Sequence, residues 1–135
     1  MDLSNKALVC VEDDSEVLGA LRIQLERNFR DELVLEFAQH VDEAIDLIDS
    51  LIGDGVDVIL LLSDWFMPGK NADVLVTHIK KLNPDVRVIV LSGQLDHNRA
   101  GAMLEQKTID KVIIKPWDEL FLVENIRAYL NETSK

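Results

Sequence analysis

Glu12, Asp13, Asp14 and Asp64 supply carboxylates, Ser92 a hydroxyl, and Lys115, followed by Pro116, an ammonium. Each of these groups closes a short apolar run, so all can be gathered at one place if the runs lie side by side. Clustered carboxylates repel one another and raise one another's pKa values unless a divalent ion neutralises them, and an oxygen-only ligand set with bound waters suits Mg²⁺. Lys115 leaves room for one more acidic guest. A hard cation, a lysine and a hydroxyl around a free carboxylate suit phosphoryl transfer, which depends mostly on positioning and on neutralising the transferred oxygens. In that chemistry Asp64 is the nucleophile and forms an acyl phosphate.

The elements that must position these groups are legible in the apolar pattern. Short apolar runs at 7–11, 33–37, 58–63, 86–91 and 111–114 read as strands, several without alternation, as in a parallel sheet covered on both faces. Helical stripes lie between them: Leu18, Leu21 and Leu25; Val41, Ala44, Ile45, Ile48, Leu51 and Ile52; Leu75, Ile79 and Leu82; and Val123, Ile126 and Leu130. A weaker helix is expected at 98–107. Gly53 and Gly55 end the second helix, and Asn83 with Pro84 ends the third. The chain thus reads as five βα units. Right-handed crossovers put every strand's C-terminal end on one edge, where Glu12, Asp13, Asp64, Ser92 and Lys115 converge.

The 135 residues suit one domain, 1–135, with enough chain to bury a core without disulfides. Fourteen Lys and Arg against 25 Asp and Glu give a net charge of −11, which argues against direct nucleic-acid binding because phosphate contacts need a basic face. No apolar run approaches the roughly 20 residues that cross a bilayer, the N-terminus lacks the pattern of a secretory signal, and Cys10 has no partner cysteine. A cytoplasmic protein without membrane attachment is expected. Cys10 reads as a small core residue, and His40, His78 and His97 lie too far apart to suggest a site.

Four motifs in fixed order, VEDD at 11–14, DWFMPG at 64–69, LSG at 91–93 and KPW at 115–117, give the whole chain a specific likeness. It resembles the receiver domains of two-component response regulators. The resemblance implies an α/β fold, a doubly wound five-stranded parallel sheet of the flavodoxin-like or CheY-like kind with strand order 2-1-3-4-5. It implies that Glu12, Asp13, Asp64 and the backbone carbonyl of Phe66 hold Mg²⁺, or Mn²⁺ in its place, and that Asp64 is the phosphoacceptor. Ser92 matches the hydroxyl that moves to the phosphoryl group, Lys115 the lysine that pairs with it, and Pro116 follows a cis peptide bond. The implied donor is a sensor histidine kinase or phosphotransfer protein. The implied output is an effector domain or a homodimer through the fourth helix, fifth strand and fifth helix. Such a domain is a signalling module that catalyses only its own phosphorylation and dephosphorylation. The chain departs from the family at Val112, where an aromatic residue is frequent, and at Ala72, Ser92 and Gly93, where Gly, Thr and Ala are commoner.

Two other functions use a similar sheet. An aspartyl-nucleophile phosphohydrolase wants a second acid two residues past the nucleophile, where Phe66 stands. A flavin carrier wants a glycine- and hydroxyl-rich first loop, and here that loop is EDDSE. On the last helix, Phe121 points about 160° from the apolar stripe at 100° per residue. It is therefore expected outside the core, on the same side as Trp117, in an apolar corner with Leu120.

Overall fold

The computed structural model describes residues 3–67, 72–93, 104–105 and 108–133. Its elements run β1 (Lys6–Val11), α1 (Ser15–Phe29), β2 (Val34–Ala38), α2 (Val41–Gly53), β3 (Asp57–Asp64), α3 (Ala72–Leu82), β4 (Arg87–Ser92), β5 (Lys111–Ile114) and α4 (Glu119–Thr133). The helix expected at 98–107 falls outside the described residues, apart from the helical Leu104 and Glu105. Five parallel strands form one sheet in the order β2-β1-β3-β4-β5. Parallel neighbours need a crossover between them; α1, α2 and α3 provide the described ones, and with α4 they cover both faces of the sheet.

Side chains alternate across the pleat, so each strand feeds two cores. One face packs Val9, Val11, Leu61, Val88 and Val90 under α2 and α3, through Ala44, Ile48, Leu75 and Ile79. The other packs Leu8, Cys10, Leu60, Leu62, Ile89 and Leu91 under α1 and α4, through Leu21, Leu25, Leu122 and Ile126. Burial in this second layer raises the Cys10 thiol pKa well above its ordinary value, with the nearby Glu12 charge acting in the same direction.

Helix ends follow local chemistry. Asp14 caps α1, its carboxylate accepting from the N–H groups of Glu16 (2.9 Å) and Val17 (3.2 Å). Asp118 does the same for α4 through Phe121 N–H (3.0 Å). After α2 the chain turns at Gly55 with φ +82°, a left-handed conformation that a side chain would strain.

Several expected details differ. Leu82, assigned to the α3 stripe, is 46% exposed at the helix end. Leu33 belongs to the turn closing α1, where its N–H donates to Phe29 O (3.1 Å), so β2 starts one residue later. Trp117 does not lie on the helical face of Phe121, because α4 begins at Glu119. It packs into the α1/α4 layer, with its indole N–H donating to Gln24 Oε1 (2.7 Å). Phe121 and Leu120 are exposed, as their positions on the wheel require, and Lys111 Nζ lies 5.5 Å from the centre of the Phe121 ring. Among the described residues no helix is long and apolar enough to cross a membrane.

Candidate functional site

Glu12 directly follows β1, held by its N–H to Ala38 O (3.0 Å). Its side chain is fully buried, a costly place for a carboxylate, and both oxygens are engaged. One accepts from Asp14 N–H (3.1 Å) and the other from Lys115 Nζ. The ammonium comes from the far edge of the sheet, where Lys115 N–H donates to Ser92 O (2.9 Å) and continues the β4–β5 ladder. The bond between Lys115 and Pro116 is cis.

Asp64 is the last residue of β3, paired with Leu91 of β4, and is 8% exposed. Its Oδ1 lies 3.1 Å from Lys115 Nζ, so one ammonium serves two carboxylates 52 positions apart in the chain. Burial and the Glu12 charge push the Asp64 pKa up to about 7, against the opposing pull of Lys115. Burial also works to lower the Lys115 pKa, but its contacts with Glu12 and Asp64 outweigh this and raise it. Asp13 is half-buried, and one oxygen from each of Glu12, Asp13 and Asp64 lies within 4.8 Å of the others. Opposite ligands of an octahedral Mg²⁺ stand about 4.2 Å apart, so this spacing and an excess of carboxylate over ammonium suit one hard divalent ion.

The structure therefore brings Glu12, Asp13, Asp64 and Lys115 together. Ser92 closes the neighbouring strand, 1% exposed, with its hydroxyl donating to Gly93 O (3.0 Å) along its own chain. Phe66 sits two residues beyond Asp64 and is 45% exposed, between the buried Trp65 and Met67. Pro68 and Gly69 lie outside the described residues. Val112 is half-buried against the α2/α3 layer. Sequence reasoning missed the direct Lys115–Glu12 contact and the burial of Trp65 beside the nucleophile. A tryptophan directly after a strand-end aspartate is the one signal that could have exposed the second.

A family model, response regulator receiver domain, matches residues 8–127. The hydrogenase transcriptional regulatory protein HoxA of Cupriavidus necator is 31% identical over 120 residues, covering 89% of this chain and 23% of that protein. The DNA-binding transcriptional regulator NtrC of Azospirillum brasilense is 33% identical over 75 residues, 56% of this chain and 15% of that protein. The chain thus spans less than a quarter of the length of either relative. Among solved structures, a response regulator receiver domain protein from Clostridium thermocellum superposes with a TM-score of 0.82 at 19% identity, covering 96% of this chain and 97% of that one. The apo receiver domain of nitrogen regulatory protein C superposes with a TM-score of 0.79 at 22% identity, covering 98% and 100%. Motif order, sheet order and the match over residues 8–127 agree: the chain belongs to the response regulator receiver domain family.

Proposed function

We propose that residues 1–135 form a single receiver domain that accepts a phosphoryl group on Asp64 from the phosphohistidine of a sensor kinase or phosphotransfer protein. The observation that carries this reading is the bridge of Lys115 Nζ to both Glu12 and Asp64 at the C-terminal edge of the sheet. An Asp64 carboxylate oxygen attacks phosphorus, a P–O bond forms, and the P–N bond to the donor imidazole breaks, its electron pair returning to nitrogen. Glu12, Asp13, Asp64 and the Phe66 carbonyl would hold Mg²⁺, or Mn²⁺, which when bound supplies charge neutralisation for the phosphoryl oxygens. Lys115 exchanges part of its carboxylate pairing for a phosphoryl oxygen, and the Ser92 hydroxyl turns to donate to another.

The domain acts as a cytoplasmic signalling module whose only chemistry is its own phosphorylation and dephosphorylation. HoxA and NtrC, by their names, regulate transcription, and each is far longer than this chain. By likeness, the output here is an effector domain or a homodimer through the helix expected at 98–107, β5 and α4; of the described residues there, Ile114, Leu120 and Phe121 are exposed. The net charge of −11 supports assigning any DNA contact to other residues than these. Intact-mass measurement after treatment with acetyl phosphate tests the core of the proposal. One phosphoryl group is expected, absent without Mg²⁺ and absent in Asp64→Asn; unchanged labelling of that variant would sink the assignment.

A further inference from the structure

Trp65 directly follows the phosphoacceptor position and is 4% exposed. Among the described residues, its indole Nε1 is the buried side-chain nitrogen or oxygen without a hydrogen-bond partner. Such a donor is expensive, and native proteins seldom retain one without a use. The second tryptophan makes the contrast, since Trp117 Nε1 donates to Gln24 Oε1 at 2.7 Å. Nor can Trp65 easily leave. Its N–H donates to Leu91 O (3.0 Å) and its carbonyl accepts from Ala72 N–H (3.0 Å), clamping the residue between β4 and α3.

Ser63 pairs with Val90 and Asp64 with Leu91, so continuing the register one residue past β3 brings the backbone of Trp65 level with Ser92. Val86, Val88 and Val90 share the layer that holds Leu61 and Trp65, and alternation puts Ser92 on that same side of β4. The Ser92 hydroxyl now spends its proton on Gly93 O, and its oxygen keeps acceptor capacity. Among the described residues, Ser63 is the other buried hydroxyl in this layer, donating to the carbonyl of Asp64 (2.9 Å).

Building on the phosphoacceptor reading, we infer that Trp65 is a positioning residue whose indole N–H donates to Ser92 Oγ when that hydroxyl turns toward a phosphoryl group on Asp64. The contact forms a chain, indole N–H to hydroxyl oxygen and hydroxyl proton to phosphoryl oxygen, and it holds Ser92 in its working rotamer. A donor left bare in one state and satisfied in the other favours the second by its differential interaction, here about tenfold. Trp65 directly follows β3 and Ser92 closes the neighbouring β4, so the coupling needs no aromatic residue at position 112.

The test uses the full 135-residue chain, labelled with ¹⁵N-tryptophan, with Mg²⁺ and beryllofluoride as the phosphoryl mimic. Fluorine NMR reports adduct formation, and the two indole cross-peaks, assigned with Trp65→Phe, report the rings. The Trp65 indole proton should move downfield and exchange more slowly with water in the adduct, while Trp117 stays in place. Ser92→Ala, brought to full adduct by raising beryllofluoride until the fluorine signal saturates, should abolish that response, and Ser63→Ala should preserve it. Benzothienylalanine in place of Trp65 keeps the ring's shape and replaces N–H by sulfur. It should raise the half-saturating beryllofluoride concentration about tenfold and leave Mg²⁺ affinity of the free protein unchanged, a pattern that a purely packing role would not produce. An adduct with a static Trp65 signal, or a response lost in Ser63→Ala and kept in Ser92→Ala, overturns the inference. Failure to form any adduct overturns the phosphoacceptor reading, and this inference with it.

Discussion

The two layers around the sheet are alike in apolar filling and unlike in how they use polar groups. Under α1 and α4, polar side chains tie one helix to the other: Arg27 and Asn28 of α1 reach Glu119 of α4, Arg127 of α4 reaches Glu32 and the carbonyl of Asn28, and Trp117 reaches Gln24. Arg127 also lies over the Phe29 ring, 4.6 Å from its centre. Under α2 and α3, among the described residues, one tie between the helices is His78 with Asp49 (2.7 Å), and the buried polar groups near the site include the unpaired Trp65 indole and the hydroxyls of Ser63 and Ser92. Exposed ion pairs add little stability one by one, so the α1/α4 ties matter mainly as a geometric frame. That frame spans the segments that follow β1 and β5, from which Glu12 and Lys115 reach each other. The opposite layer carries the groups whose hydrogen bonding can still change, and it is where a change of state would be read.

The largest expected effects test the likeness. Leu25→Ala in one layer and Leu61→Ala in the other should each cost about 2–5 kcal/mol in chemical denaturation, since both side chains are fully buried. A loss confined to one layer would break the comparison at its base.

Next comes the charge at the junction of the layers. The Asp64 pKa in the folded, metal-free protein is raised from an ordinary 3.8 to about 7. The folded state therefore holds an extra proton between those values, and the group's contribution to stability falls as pH rises through that window. Asp64→Asn should stabilise the metal-free protein above pH 7, by about 1–2 kcal/mol once solvent screening at the cleft is allowed for, and the gain should vanish towards pH 4. Urea denaturation at pH 8 and pH 4 in the presence of a chelator decides it. Destabilisation of the variant at pH 8 would mean that Lys115 more than compensates the buried charge.

At the rim, the ring of the exposed Phe66 cannot hydrogen-bond a water approaching the acyl phosphate in line. Phe66→Asn should shorten the lifetime of the phosphorylated protein about tenfold, equivalent to roughly 1.4 kcal/mol of barrier. Equal lifetimes by intact mass over time would remove Phe66 from the account. Smaller still, Trp117→Phe loses the bond to Gln24 and should cost about 1 kcal/mol. In that variant the indole signal of Trp65 should be unmoved if the two layers respond independently. Phe121→Glu should leave thermal stability nearly unchanged while weakening self-association in sedimentation, because the side chain is 44% exposed; unfolding would place Phe121 in the core after all.

Much of this arrangement was legible in the sequence, because the apolar runs had the length and continuity of buried parallel strands. The 111–114 strand was placed as observed, and the strand ends gathered the acids and the lysine on one edge. Boundaries shifted where a single hydrogen bond decides them. Val86 N–H turns back to Asn83 O, so β4 starts at Arg87, and Trp65 N–H to Leu91 O keeps Asp64 within the ladder. The pairing of Trp117 with Phe121 failed because counting 100° per residue is valid only within a helix, and Trp117 precedes the first residue of α4. The Lys115–Glu12 contact joins positions 103 apart. It depends on how far a lysine reaches over two intervening strands, which no local pattern encodes. The bare indole of Trp65 was equally hidden, since satisfaction of a donor is a property of its neighbours in space.

We propose that the strand-end carboxylate of β3 is the group that becomes phosphorylated. Borohydride reduces an acyl phosphate on aspartate to homoserine, so reduction after acetyl phosphate and Mg²⁺, followed by peptide mass mapping, locates the modified residue directly. Homoserine is expected at position 64 and nowhere else, with none formed when Mg²⁺ is chelated. Homoserine at Asp13 or another carboxylate, or an unreduced chain despite a phosphoryl group in the intact mass, would contradict it.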